Sequence, residues 1–441
     1  MTQKYRVKMI VTSSGERLPM LLGHDGLPLF EPTVFSLSEV RSRNRASNTI
    51  DSYLRSVMVF LLFLDLRSIN LEERLKVGQL LSLSEIEDLV GICRLPVEKI
   101  HSLYDEVQVV SKQTTSSVLS LEKLRKRPFN IQEDRIDGSS AATRLRNIRD
   151  YLKWLCLVRI SKHGIDASHR LSLESSIQYT SNAIEARLPS GAYKHSRIDQ
   201  REGLEPEDVS QILKIINPQS QENPWSDEHS KYRNELIILW LLNCGLRRGE
   251  LLNIRISDLN LRESTVVVAR RADDLRDPRA NQPKVKTRGR EIPLSIGLLD
   301  KTNAYIMNQR IAIGGARKHD FLFVASRSGA PLSIPSVNKI FTVLKLKFPE
   351  LAYQLFPHIL RHTWNDNFSK IMDKNKVSDE QEKKARSYLM GWSETSGTAA
   401  NYMRRTIRKR AQAASLELQK NIMERSDDEL FVRSIHISTI K

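Results

Sequence analysis

The chain has 441 residues, enough for two or three domains with cores of their own, and 69 Lys and Arg against 52 Asp and Glu leave a net charge of +17. That excess favours a polyanionic partner, nucleic acid first. No apolar run longer than Val57 to Leu64 is present, too short to span a bilayer, and the first residues lack the apolar centre of a signal peptide. Cys93, Cys156 and Cys244 stand far apart in apolar helical contexts, which argues against a disulfide frame or a metal site and for a reducing, cytoplasmic compartment.

In chain order, residues 5–35 alternate apolar and polar in places and are punctuated by Gly15, Gly23 and Gly26, the pattern of a β-hairpin or an irregular arm. Ser47 to Thr49 read as a helix cap, with Ile50, Tyr53, Leu54, Val57, Leu61 and Leu64 following at helical spacing. Another helix is expected near Ser84, with Glu87 three residues on as in a capping box. Residues 102–140 are mixed, and their basic cluster at Lys123, Arg125, Lys126 and Arg127 is either a solvated face or a phosphate contact. A strong helix is predicted from about Ser140 to Leu157, with the apolar stripe Leu145, Ile148, Leu152 and Leu155. Arg144, Arg146, Arg149 and Lys153 lie on or beside its other side, a face that is either merely solvated or a set of DNA contacts. Residues 36–188 thus read as an all-helical domain, preceded by an arm at 1–35 and followed by a Pro, Gly and Ser-containing linker at 189–203.

Pro206, with acids in the first turn, opens a second domain at 204–425. Leu236 to Leu242 is a buried apolar helix, and Gly245 turns the chain into a second helix with Leu246, Glu250, Leu251 and Ile254 on its core side. Arg247 and Glu250 are three apart and can pair, as a plain structural ion pair or as an arginine held for use. Thr265 to Ala269 is strand-like, and Lys284 to Leu294 suggests a hairpin with Lys286 near its turn and Ile292 starting the return strand. Phe321 to Val324 is a short strand or buried segment, and Ser336 to Leu346 a helix with Val337, Ile340, Phe341 and Leu344 inward. Pro357 starts a helix on which His358 and Arg361 share a face, a suitable receptor for phosphate, while Leu360 and Trp364 can pack inward. A further helix ends at Gly391. Tyr402 then stands beside Arg404, Arg405, Arg408, Lys409 and Arg410, a positive field that favours the phenolate and draws phosphate in, although a single helical Tyr more often packs in a core. The tail, 426–441, is acidic and then apolar.

Read together, Arg247, Lys286, His358, Arg361, Trp392 and Tyr402 resemble, in order, the catalytic constellation of the tyrosine recombinase (phage integrase) family. The phrases Gly245-Leu-Arg-Arg-Gly-Glu-Leu, Lys286-Thr with Arg290-Glu-Ile-Pro-Leu, His358-Ile-Leu-Arg-His-Thr and Leu389-Met-Gly-Trp are similar to the family's motifs over about 204–412, and 36–188 looks more weakly like its core-binding domain. Trp392 stands where most members have His, and residues 1–35 and 102–140 have no clear counterpart. The resemblance implies a mainly α fold with a small β-sheet or hairpin, a SAM-like helical core-binding domain and a catalytic domain forming a C-shaped clamp on double-stranded DNA. It implies a site-specific recombinase or integrase of a mobile element, acting as a homo-tetramer on two DNA sites, with the tail exchanged between protomers and accessory DNA-bending or directionality proteins as further partners. In that chemistry Tyr402 is the nucleophile, Arg247 and Arg361 hold the phosphate, Lys286 is the general acid, His358 handles the tyrosine proton, Trp392 packs beside the phosphate, and Glu250 orients Arg247. Arg288, Arg290, Arg404 and Arg405 would touch DNA, and no cofactor or metal is called for. Two other readings stand: a type IB topoisomerase, which shares this set, and a DNA-binding regulator on the same fold without the chemistry.

Overall fold

The computed structural model describes the chain except residues 1–2, 44–45, 114–134, 162–164, 190–202, 284, 286, 352–354, 394–398, 400–410, 413 and 421–441. The described residues are mainly helical, with two small antiparallel sheets, and the chain divides into two compact units, Met1–Gln200 and Arg201–Lys441. No described helix is long and apolar enough to cross a membrane.

The first unit opens with a hairpin, β1 (Arg6–Val11) against β2 (Arg17–Leu22), with Arg6 opposite Leu22 and Val11 opposite Arg17. Gly15 has a φ of 85°, which the turn requires and other residues resist. The hairpin is part of this unit's core: Leu18 and Leu21 are buried in one cluster with Ile50, Leu54 and Val57. Next come α1 (Phe30–Phe35), α2 (Ser47–Leu66), α3 (Leu71–Lys76), α4 (Leu83–Cys93), α5 (Val97–Gln113), α6 (Gly138–Ile160) and α7 (Ala167–Ala186). Ser47 is not a cap: it is buried as the first helical residue, and the N-cap, Ala46, makes no side-chain bond. The capping box of α4 is Ser82 with Glu85, two residues before the pair read from the sequence. Both pairs have the right spacing, and the earlier one turns Ile86, Leu89 and Val90 into the core. Helix α6 is capped by Asp137, and Leu145, Ile148, Leu152 and Leu155 are all buried, as its periodicity demands. The basic cluster at 123–127 and nearly all of the linker lie outside the described residues.

In the second unit α8 (Pro206–Ile216) starts with its proline at the first position, and α9 (Glu228–Cys244) ends at Gly245. After α10 (Arg248–Leu251), β3 (Leu259–Asn260), β4 (Thr265–Val268) and β5 (Arg290–Pro293) form one sheet in that order. The return strand is where its pattern placed it, but its partner is Thr265–Val268, with Val266 opposite Ile292 and Val268 opposite Arg290. The described residues between 269 and 289 leave the sheet instead of pairing beside it, and ion pairs brace them: Arg255 with Asp274, Arg271 with Asp258, and Arg279 with Asp277. Arg279 also stacks on Phe321, 4.6 Å from the ring centre. Helices α11 (Ile296–Ala304), α12 (Ile334–Lys347), α13 (Pro357–Lys374) and α14 (Asp379–Met390) complete the described unit. Its core gathers Trp240, Leu241, Leu251, Leu322, Phe323, Val337, Ile340, Phe341, Leu344 and Leu360. All three cysteines are buried free thiols.

One buried histidine makes this unit sensitive to acid. His229 lies between Ser326 Oγ, 2.9 Å from Nδ1, and the Tyr305 hydroxyl, 3.2 Å from Nε2. Burial, helped by the nearby Arg233, pushes the imidazole down to about 4 from 6.5. The unfolded chain therefore binds the proton first, and stability falls as pH drops from 6.5 towards 4. Denaturation midpoints measured across that window should decline, and His229→Gln should flatten the decline. An unchanged slope in the variant would remove His229 as its cause.

Candidate active site

The site is built around one buried carboxylate. Gly245 closes α9 with a φ of 58°, and a Cβ there would stand 2.8 Å from the Trp364 ring and 2.9 Å from the Met390 methyl, so the turn needs glycine twice over. Arg247 then caps α10, and Glu250, three residues on, folds back to accept from the Arg247 backbone N–H at 3.0 Å. The same carboxylate accepts from Thr287 Oγ1 at 2.7 Å and Arg290 Nη2 at 2.8 Å. It also lies 3.3 Å from Arg247 Nη1 and 3.7 Å from Arg361 Nη1. Burial alone would raise the pKa of Glu250, but Arg290 and Arg361 outweigh it and bring the group down to about 2. The carboxylate is thus ionised at neutral pH, and three guanidinium groups against it leave an excess of positive charge. Such an array accepts a phosphate.

Arg361 is wholly buried; Nη1 donates to the Gly245 carbonyl at 2.6 Å, and its carbon centre lies 5.3 Å from the Trp392 ring. Arg247, with 30% of its side chain exposed, is the more accessible of the two. Trp392 is buried and packs with Met390, Ala399, Trp364 and Leu389. It follows Gly391, whose φ of 65° ends α14. A second buried ion pair fixes α14 on α13: Arg386 meets Glu382 and Ser369 and donates to both oxygens of Asn365, whose amide in turn donates to the Arg361 carbonyl.

His358 and Arg361 leave α13 about 60° apart, astride the core boundary, so His358 is exposed where Arg361 is not. The His358 ring meets His362 edge-on at 4.9 Å. Trp364 is only partly buried, its Nε1 donating to the Asn243 carbonyl at 2.9 Å. Lys286, Tyr402, Arg404 and Arg405 lie outside the described residues. Arg288 is exposed, but Arg290 is not a surface contact. It sits on the inner face of β5 beside Glu250, with Ile292 two residues on, and the alternation of that strand is the signal that could have placed it.

On α6, Arg146 and Lys153 are exposed. Arg144 instead spends its guanidinium on the carbonyls of Cys93 and Leu95, and Arg149 pairs with Asp150 and Glu185. These two hold their own unit together.

Residues 202–409 match the model of the phage integrase family. The second unit is a phage integrase family domain, that of the tyrosine recombinases. Members of this recombinase family are DNA strand transferases. The chain carrying the recombinase domain is similar in structure to a fragment of the Tn1549 transposon integrase bound to a circular intermediate DNA, at 18% identity and TM-score 0.38 over 67% of this chain and 92% of that one. It is similar to XerH recombinase bound to its difH substrate at 15% and 0.38, over 86% and 93%. The lambda integrase dimer bound to a core site gives 13% and 0.42, over 84% and 75%. No curated protein matches the chain in sequence.

Proposed function

We propose that the protein is a site-specific DNA recombinase that cuts and rejoins strands through a 3′-phosphotyrosyl link to Tyr402. The observation that carries the reading is the gathering of Arg247 and Arg361 on Glu250, with Trp392 stacked on Arg361, inside a recombinase domain. The Tyr402 oxygen attacks the scissile phosphorus as the bond to the 5′-oxygen breaks. The 5′-hydroxyl of a partner strand then attacks the phosphotyrosyl link and frees the tyrosine. The number of phosphoester bonds is conserved, so no energy-supplying cofactor is needed, and covalent catalysis divides one hard step into two.

Negative charge gathers on the non-bridging oxygens in each transition state. Arg247 and Arg361 offer rigid paired donors for it. Because Arg361 is wholly buried, its use on phosphate requires its cover to move aside as DNA enters. Lys286 protonates the leaving 5′-oxygen, and His358, exposed at the start of α13, takes the tyrosine proton. Four protomers on two duplex sites of a mobile element are the assembly this chemistry serves. The chain's net charge of +17 supplies affinity through phosphates, so binding should weaken steeply with salt.

The test is covalent capture. Nicked duplexes, drawn from the DNA flanking the gene and from a randomised pool, trap the phosphotyrosyl link because the cleaved end diffuses away. The wild-type chain should form an adduct that survives denaturation, and Tyr402→Phe should form none. Binding to the captured sequence without any adduct would favour a regulator on this fold. Adducts on one duplex with free relaxation of supercoils and no strand exchange would favour a topoisomerase.

A further inference from the structure

Lys286 is followed in the chain by Thr287, and Thr287 is buried on the carboxylate that gathers the arginines. Its hydroxyl donates to Glu250 Oε1 at 2.7 Å and accepts from Arg290 Nη1 at 3.2 Å. Arg290 completes a closed triangle through its 2.8 Å bond to Glu250 Oε2 and also donates to the Leu389 carbonyl at the end of α14. On the next residue the Arg288 backbone N–H donates to the Gly391 carbonyl at 3.0 Å. The fit at Gly391 is close: a Cβ there would stand 2.8 Å from the Arg288 carbonyl oxygen and 3.0 Å from Thr287 Cβ. The short stretch after Lys286 is therefore stitched to two things at once, the carboxylate holding Arg247 and Arg361 and the turn carrying Trp392.

The hydroxyl shared between two buried charges fixes the residue after Lys286 on the carboxylate that holds the arginines. From this geometry we infer that Thr287 and Arg290 are positioning residues for the general acid. They make Glu250 the common reference for Lys286 and for both phosphate-binding arginines, so that acid and receptor arrive at the phosphate in register. The inference rests on the recombinase reading and deepens it. In the step concerned, the bond from Tyr402 oxygen to phosphorus forms, the bond to the 5′-oxygen breaks, and that oxygen takes a proton from the Lys286 ammonium.

The decisive probe replaces the bridging 5′-oxygen of the captured site with sulfur. A thiolate leaves without a proton, so a defect confined to the acid disappears on this substrate, while a defect in folding or in the arginines remains. Thr287→Val keeps the β-branched shape and loses the hydroxyl, and Thr287→Ser keeps the hydroxyl. On the oxygen substrate the full-length Thr287→Val chain should cleave about 10- to 100-fold more slowly, the scale of a misplaced catalytic group. On the sulfur substrate it should return to the wild-type rate, and Thr287→Ser should stay near wild type on both. Equal slowing on both substrates, or none on oxygen, overturns the inference. If the wild-type chain forms its adduct but Lys286→Ala is not rescued by sulfur, the inference falls while the recombinase reading stands. Absence of any adduct at Tyr402 would remove that reading and the inference with it.

Discussion

Glu250→Gln should lower the thermal midpoint of the second unit more than any surface change. The substitution keeps the size of the side chain and removes its charge. Arg290 and Arg361, with 2% and 0% of their side chains exposed, would then be cations without their central anion, and an amide N–H₂ would face other donors. Breaking a buried pair in this way costs about 3–5 kcal/mol. At about 2–4 °C per kcal/mol for a unit of this size, the midpoint should fall by roughly 10 °C. The same residue dictates the acid limb. Its folded value of about 2 lies below the ordinary 4.5, so its stabilisation is complete above 4.5 and is lost as pH falls through the folded value. Most of this window lies below that of His229, so the two limbs can be told apart in a pH series, and the Gln variant should lack only the lower one. A midpoint unchanged in Glu250→Gln would mean that the arginines are balanced by something else.

Arg361→Ala should behave differently, losing chemistry more than stability. Two arginines still face Glu250 when Arg361 is gone, so no buried anion is stranded. The loss falls on the transition state: one donor fewer on the non-bridging oxygens costs about 3–4 kcal/mol, or about 100- to 1000-fold in cleavage. DNA affinity is spread over many phosphates and should change little. Single-turnover cleavage of a nicked duplex, beside a gel-shift titration of the same duplex, separates the two quantities. Cleavage at the wild-type rate would strip Arg361 of its role on the phosphate.

Much of this was legible in the one-dimensional pattern. Periodicity of 3.6 placed α6 and α12 and their inward residues, because a stripe of Leu, Ile and Val has few other ways to leave water. Proline at the first position and glycine at the end bounded α8, α9, α13 and α14, since backbone geometry there is local. The pairing of Arg247 with Glu250 was likewise local, one helical turn apart.

What sequence spacing does not carry is which charges share an interior. Arg290 and Glu250 are 40 positions apart, and Arg361 reaches the Gly245 carbonyl across 116. Arg144 and Arg149 on α6 look like their exposed neighbours Arg146 and Lys153 until the carbonyls of Cys93 and Leu95 and the carboxylate of Glu185 are placed beside them. The caps of α2 and α4 and the partner of β5 were settled in the same way, by packing rather than by local signal. Local propensity and hydrophobic period act between near neighbours and are written in the chain. The field at a buried group is set by whichever charges the tertiary fold brings within a few ångströms, and only the folded chain decides that.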